Sequence, residues 1–286
     1  MNSTLIDLTG KLPTGMVNIY REVLGVAGQL QLEVLVVGAM ARDLVLVHGF
    51  GARLERGTRD VDFAVQIKDW QSFQELTEGL IEKGFTKADK LAHRFYLKDD
   101  DGIRWEIDIV PFGDLADENG CIKWPPDESI EMSVLGFDEA FENSLIVQLG
   151  DGDNQFSIQV AAPASMAFLK LISWLERDPS IRTKDAKDIQ YLMRTYSKIQ
   201  VVFDRMYDEG DMEAQEWDER RASASILGRD ASSQLKKEVC DYLNDALFSK
   251  REKLDLLLNE MTESSQGQGY EESELKVFIN SVVENR

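Results

Sequence analysis

Between residues 33 and 84, short apolar runs alternate with helically spaced apolar residues, and this alternation constrains the fold more than any other feature of the chain. EVLVV (33–37) is a continuous run of the kind a buried strand requires, and the segment from Ala39 to about Val47 reads as a helix that stops at HGFG. VDFAVQI (61–67) is a second strand. Asp69 then stands as an N-cap before WQSFQELTEGLIEKGF, whose Trp70, Phe73, Leu76, Leu80 and Ile81 recur at helical spacing. A further helix, MVNIYREVLGVAGQL, is expected ahead of the first strand. Elements in this order bury their apolar sides as a sheet with helices packed on its faces.

The remainder divides in two. HRFYL and RWEIDIV read as strands joined by KDDDG, a linker suited to a hairpin, after which PFGDLADENG closes the unit. SLIVQL and FSIQVA extend the sheet, and after Pro163 the pattern is helical nearly throughout. The expected class is α+β: a mixed sheet with flanking helices over residues 1–160, followed by a mainly helical domain over 161–286. TESSQGQGYEESE (262–274), polar and rich in Gly, Ser and Glu, is expected to be a mobile connection before a last short helix.

The strand GTRDVDFAV carries an electrostatic conflict. Residues two apart on a strand share a face at roughly 6.6 Å between α-carbons, so Asp60 and Asp62 converge, and two unpaired carboxylates there repel. A divalent cation such as Mg²⁺ resolves the conflict, being a hard ion that takes oxygen ligands and keeps room for water and phosphates. Solvation at a strand edge, or pairing with Arg56 or Arg59, resolves it equally well for an isolated D-x-D. A third acid shifts the balance. In RWEIDIV the alternation places Arg104, Glu106 and Asp108 on one face. If that strand neighbours VDFAVQI, Asp108 approaches the pair, and three carboxylates can hold two metals about 3.5–4 Å apart, as phosphoryl-transfer sites do. Upstream, the strand ends at Gly38 and a helix begins at once, so free backbone N–H groups at Gly38 and Ala39 are available to a phosphate.

Charge fits a local rather than a general phosphate site. With 32 basic and 52 acidic residues the formal charge is −20, which repels nucleic-acid backbones and anionic membranes. No apolar run approaches the roughly 20 residues of a membrane span, Cys121 and Cys240 lack metal-type spacing, and the start MNSTLIDLTG lacks a signal-peptide pattern. A cytoplasmic protein with free thiols is the expectation.

GAMARDL, RGTRDVDFAV, EIDIVPFG and K-LISWLER-DPSIRTKDAKDI together resemble the AbiEii-like abortive-infection nucleotidyltransferases, which have the DNA polymerase β-type nucleotidyltransferase fold. The resemblance spans residues 33–195, and the later helices carry no motif of it. It implies a Mg²⁺- or Mn²⁺-dependent enzyme with catalytic, metal-binding Asp60, Asp62 and Asp108, and nucleotide-binding Gly38, Ala39, Arg42, Lys170, Arg177, Lys184 and Asp185, Asp188 lying one turn on. It also implies an NTP donor, a hydroxyl acceptor such as a tRNA or protein, a helical domain that completes the nucleotide site, and the toxin role of a pair with a cognate antitoxin. One position departs from the pattern: Ala39 stands where Gly or Ser is usual and offers only its backbone N–H.

Residues 164–198 hold seven Lys/Arg against four acids, net +3 inside a chain of −20. Lys170 interrupts the apolar run MAFLKLISWLE, where it either meets triphosphate or lays its stem along a half-buried helix with its ammonium in water. Asp185 is either a partner of the nucleotide or a first-turn acid favoured by the helix dipole. His48 and His93 have no ligand-spaced partners and read as surface or packing residues, and Trp70, Phe95, Tyr96, Trp105, Trp124 and Phe168 read as core. The leading expectation is transfer of an NMP from an NTP to a hydroxyl. The alternatives are a non-catalytic nucleotide-binding or protein-interaction module, and a kinase-like phosphotransferase, which lacks its glycine-rich and catalytic-loop motifs here.

Overall fold

A computed structural model describes residues 5–262 and 268–284. The chain divides into two compact units, one running to Ala162 and one running from Pro163 onward together with Phe50–Ala52. The first contains β1 (Ile6–Asp7), α1 (Thr14–Gln29), β2 (Val34–Val37), α2 (Gly38–Arg42, continuing as a π-helical stretch over Asp43–Gly49), β3 (Asp60–Gln66), α3 (Trp70–Glu82), β4 (Thr86–Lys87), β5 (Arg94–Lys98) and β6 (Arg104–Phe112). It continues with β7 (Cys121–Trp124), β8 (Ile130–Ser133), α4 (Phe137–Glu142), β9 (Leu145–Leu149) and β10 (Phe156–Val160).

Eight strands form one mixed sheet in the order β1, β9, β10, β2, β3, β6, β5, β4, while β7 and β8 pair separately. The site-bearing strands are central. β2 is antiparallel to β3, β3 is parallel to β6, and β6 is antiparallel to β5. β3 holds its place because Val61, Phe63, Ala64 and Val65 are all fully buried, with Phe63 edge-on to Tyr20 of α1 at 5.8 Å. α3 starts where expected: the Asp69 carboxylate accepts from the Ser72 backbone N–H at 2.8 Å, and Phe73, Leu76, Thr77 and Leu80 form its inner face. Ile81 is 50% exposed, so the apolar stripe turns through Thr77 instead.

Three further expectations change. PFGDLADENG does not close the unit, because the β7–β8 hairpin and α4 follow it before the sheet resumes. The connection expected over 262–274 falls in part outside the described residues, and from Gln268 the chain is already in the last helix, which is 17 residues long and not short. Trp70 and Tyr96 are only partly buried; Tyr96 instead carries the Arg104 guanidinium 3.7 Å above its ring.

The second unit contains α5 (Pro163–Glu176), α6 (Thr183–Thr195), α7 (Gln200–Asp208), α8 (Asp211–Ala214), α9 (Glu219–Gln234), α10 (Lys237–Leu243), α11 (Arg251–Thr262) and α12 (Gln268–Glu284). Glu260 on α11 ties it to α5 and α6, accepting from Trp174 Nε1 at 2.7 Å and from Arg182 at 2.8 and 2.9 Å. Among the described residues Cys121 and Cys240 form no disulfide, and no helix is long and apolar enough to cross a membrane.

Tyr20 is the fold's conspicuous cost. Its hydroxyl is fully buried and has no hydrogen-bond partner among the described residues, and burial pushes its pKa far up, with the Asp62 and Asp43 charges adding to the effect. Tyr20→Phe removes a desolvated, unbonded group and is expected to raise stability by about 1 kcal/mol. Chemical denaturation reads this directly, and a comparable loss would show that the hydroxyl is bonded in solution.

Candidate active site

The strand register assembles the acidic residues. Asp60 lies opposite Glu106, and Asp62 lies opposite Asp108, on paired parallel strands. Backbones in such a pair run about 4.8 Å apart, so Asp62 and Asp108 are lateral neighbours on one face. Burial alternates as the sequence requires: Val61 and Phe63 of β3 and Trp105, Ile107 and Ile109 of β6 are buried, while Asp62, Glu106 and Asp108 are partly open and Asp60 is exposed.

The turn from β2 into α2 lies against this face. Val37 pairs with Asp62, so Gly38 emerges directly beside the Asp62 side chain. Gly38 has φ +73°, and a Cβ there would overlap the Asp62 carboxylate. Both facts demand glycine: a side chain would be strained in the left-handed region and would also displace Asp62. Arg42, at the end of α2, is 4% exposed and holds Asp43 at 2.8 Å, so it braces the turn from within the protein.

Arg94, which the sequence reading passes over, occupies the other side of Asp108. It starts β5 directly opposite Asp108 in the antiparallel register. Its Nε donates to Asp108 Oδ1 at 2.7 Å, its Nη2 to Oδ2 at 2.8 Å, and its Nη1 to Glu106 Oε2 at 2.9 Å. The hydrogen bond to Asp108, together with the Asp108, Glu106 and Asp60 charges, outweighs desolvation and holds the guanidinium well above its ordinary pKa. His93 beside it packs on Trp124 with ring centroids 5.9 Å apart, and burial pushes its pKa down, with Asp108 opposing and Arg94 assisting.

Asp108 is engaged differently from Asp60 and Asp62. Among the described residues, no three His, Cys, Asp or Glu side chains are placed to hold a metal ion together. At this site the Arg94 fork donates to both Asp108 oxygens. What fits a hard divalent cation is the chemistry of the Asp60 and Asp62 carboxylates, with the Gly38 turn packed on the second of them.

The basic residues picked from 164–198 form a separate cluster in the helical unit. Lys170 Nζ lies 3.0 Å from Asp185 Oδ1 and 2.8 Å from Asp188 Oδ2. Arg177 Nη1 lies 2.8 and 3.0 Å from the two oxygens of Asp185, which is fully buried in the first turn of α6. The Lys170 ammonium is therefore not in water, as a snorkelling side chain would place it. Burial alone would push its pKa down, but the Asp188 and Asp185 charges outweigh this and hold it above the ordinary value. Lys184, one residue before Asp185, is exposed on α6.

Comparison with known proteins gives a family match. The model of the family described as nucleotidyl transferase AbiEii toxin, type IV TA system, matches residues 26–273. A search of curated proteins found no match. Among solved structures the chain is similar to the antibiotic-resistance factor ANT(2'')-Ia at 15% identity and TM-score 0.37, covering 72% of this chain and 100% of that one. It is also similar to the lincosamide antibiotic adenylyltransferase LnuA at 17% identity and TM-score 0.35, covering 63% of this chain and 96% of that one. The Thermotoga maritima CCA-adding enzyme complexed with tRNA is similar at 10% identity and TM-score 0.26, covering 96% of this chain and 84% of that one. These are distant likenesses.

Proposed function

This chain belongs to the AbiEii nucleotidyltransferase family, and from that premise we propose that it moves a nucleoside monophosphate from an NTP onto a hydroxyl of a tRNA or protein acceptor, releasing pyrophosphate. The observation that carries this reading is the placement of Asp62 beside Asp108 on paired parallel strands, with Gly38 against the Asp62 carboxylate. Asp60 and Asp62 hold Mg²⁺ or Mn²⁺, which when bound supplies the positive charge that developing phosphate oxygens need. Backbone N–H groups of Gly38 and Ala39 donate to the phosphates. Asp108, fixed by Arg94, accepts the proton of the attacking hydroxyl. Within the helical unit, Lys170, Arg177 and Lys184 are the cations that the family resemblance assigns to phosphate, and Asp185 orients the first two by accepting from both. The remaining parts of the proposal are a cytoplasmic location and the toxin role, restrained by a cognate antitoxin.

A thermal-shift measurement tests the metal pair without needing to know the acceptor. A ligand that binds only the folded state stabilises it in proportion to its affinity, by about 2.7 kcal/mol at a hundredfold excess over Kd. Mn²⁺ is expected to raise the melting temperature of the wild type and to leave the Asp60→Asn/Asp62→Asn double variant unmoved. Equal shifts in both would place the ion elsewhere.

A further inference from the structure

Asp108 is conspicuous because each of its carboxylate oxygens already accepts from a guanidinium nitrogen, which leaves one lone pair on each oxygen for a neutral donor such as a hydroxyl. A guanidinium fork meets both oxygens at 2.7 and 2.8 Å, its remaining nitrogen reaches Glu106 at 2.9 Å, and Asp108 is largely buried. Bidentate arginine pairs of this kind are short, charge-assisted and geometrically specific. The register that creates the pair is built into the hairpin, since Arg94 and Asp108 are direct cross-strand partners. A second divalent ion at Asp108 would face the fixed positive charge of Arg94 and would have to displace two charged hydrogen bonds.

We propose that Arg94 takes the place of a second metal: the protein binds one divalent cation, at Asp60 and Asp62, and Arg94 is the positioning residue that keeps Asp108 out of metal coordination and available to the acceptor hydroxyl. This rests on the reading of Asp60 and Asp62 as the metal pair. Glu106 completes the device, because it anchors the third nitrogen and fixes the rotation of the fork.

Mn²⁺ titration of the full-length protein in the presence of a non-hydrolysable NTP analogue, read by calorimetry and by electron paramagnetic resonance of free Mn²⁺, tests it. The wild type is expected to bind one Mn²⁺, and Arg94→Gln two. Arg94→Lys, which retains the charge, is expected to bind one. Arg94→Gln/Asp108→Asn returns to one, showing that Asp108 is the ligand gained. Two Mn²⁺ on the wild type, or one on Arg94→Gln with a melting transition like that of the wild type, would overturn the proposal while leaving the metal pair standing. Should Arg94→Gln fail to fold, the stoichiometries of the wild type and Arg94→Lys still decide. No Mn²⁺ on the wild type would reject the metal pair itself, and this inference with it.

Discussion

Asp62→Asn is expected to reduce nucleotide transfer by roughly a thousandfold or more while leaving the protein folded. A positioned divalent ion supplies several kcal/mol of charge stabilisation to phosphoryl-type transition states, and each 1.36 kcal/mol is about tenfold in rate. Loss of one ligand charge from a two-carboxylate site removes most of that. Asparagine keeps the shape of Asp62, so the contact with Gly38 and the pairing with Val37 are undisturbed. It also relieves the repulsion with Asp60 two residues away on the same strand face. Stability should stay within about 1 kcal/mol of wild type, or rise slightly, and single-turnover kinetics beside a denaturation curve separates the two effects. A variant that transfers at the wild-type rate would remove Asp62 from the chemistry.

The second large effect is on stability, in the helical unit. Asp185 is fully buried and accepts from Lys170 at 3.0 Å and from Arg177 at 2.8 and 3.0 Å. Removing one member of a buried ion network strands its partners, a loss of about 3–5 kcal/mol when no relief is available. Here there is some relief. The Arg177 side chain is 35% exposed and can turn to water, and Lys170 keeps Asp188 at 2.8 Å. Asp185→Ala is therefore expected to cost about 3 kcal/mol, the lower end of that range. Urea denaturation measures it. A cost under about 0.5 kcal/mol, typical of surface substitutions, would mean that the cluster is solvated and that Asp185 is a dipole-favoured first-turn acid and nothing more. The same network bears on Lys170, since Lys170→Met would keep the stem but leave Asp188 and Asp185 short of a cation, and any loss of NTP binding in that variant must be read against its loss of stability.

Much of the acidic site was legible in the sequence because strand period is a strong signal. Asp60 and Asp62 share a face of their strand, and Glu106 and Asp108 share a face of theirs, from alternation alone; adjacency and register of the two strands, which put the four on one sheet face, are the tertiary facts required, and the parallel β3–β6 ladder supplies them. Gly38 was legible as a turn, but the reason only glycine fits is the Asp62 carboxylate, which no local pattern contains. Arg94 was passed over although a signal existed. With KDDDG closing a hairpin, Lys98 pairs with Arg104 and the register carries Arg94 onto Asp108, an opposite-charge cross-strand pair. The β7–β8 hairpin was hidden by its composition, being short, charged and interrupted by the prolines at 125 and 126. The Lys170 cluster was only half visible. Spacing placed Asp185 and Asp188 on one helix and Lys170 on another, but the packing of α5 on α6 that pairs them is tertiary.

The central claim, transfer of a nucleotidyl group that depends on Asp62, is tested most directly by position of label. Wild type and Asp62→Asn are each incubated with Mg²⁺, a cell extract, and one NTP at a time labelled at either the α- or the γ-phosphate. The account predicts that α-label enters an RNA or protein product with wild type only, and that γ-label leaves as pyrophosphate. Incorporation of γ-label, or α-label transferred equally by Asp62→Asn, would contradict it.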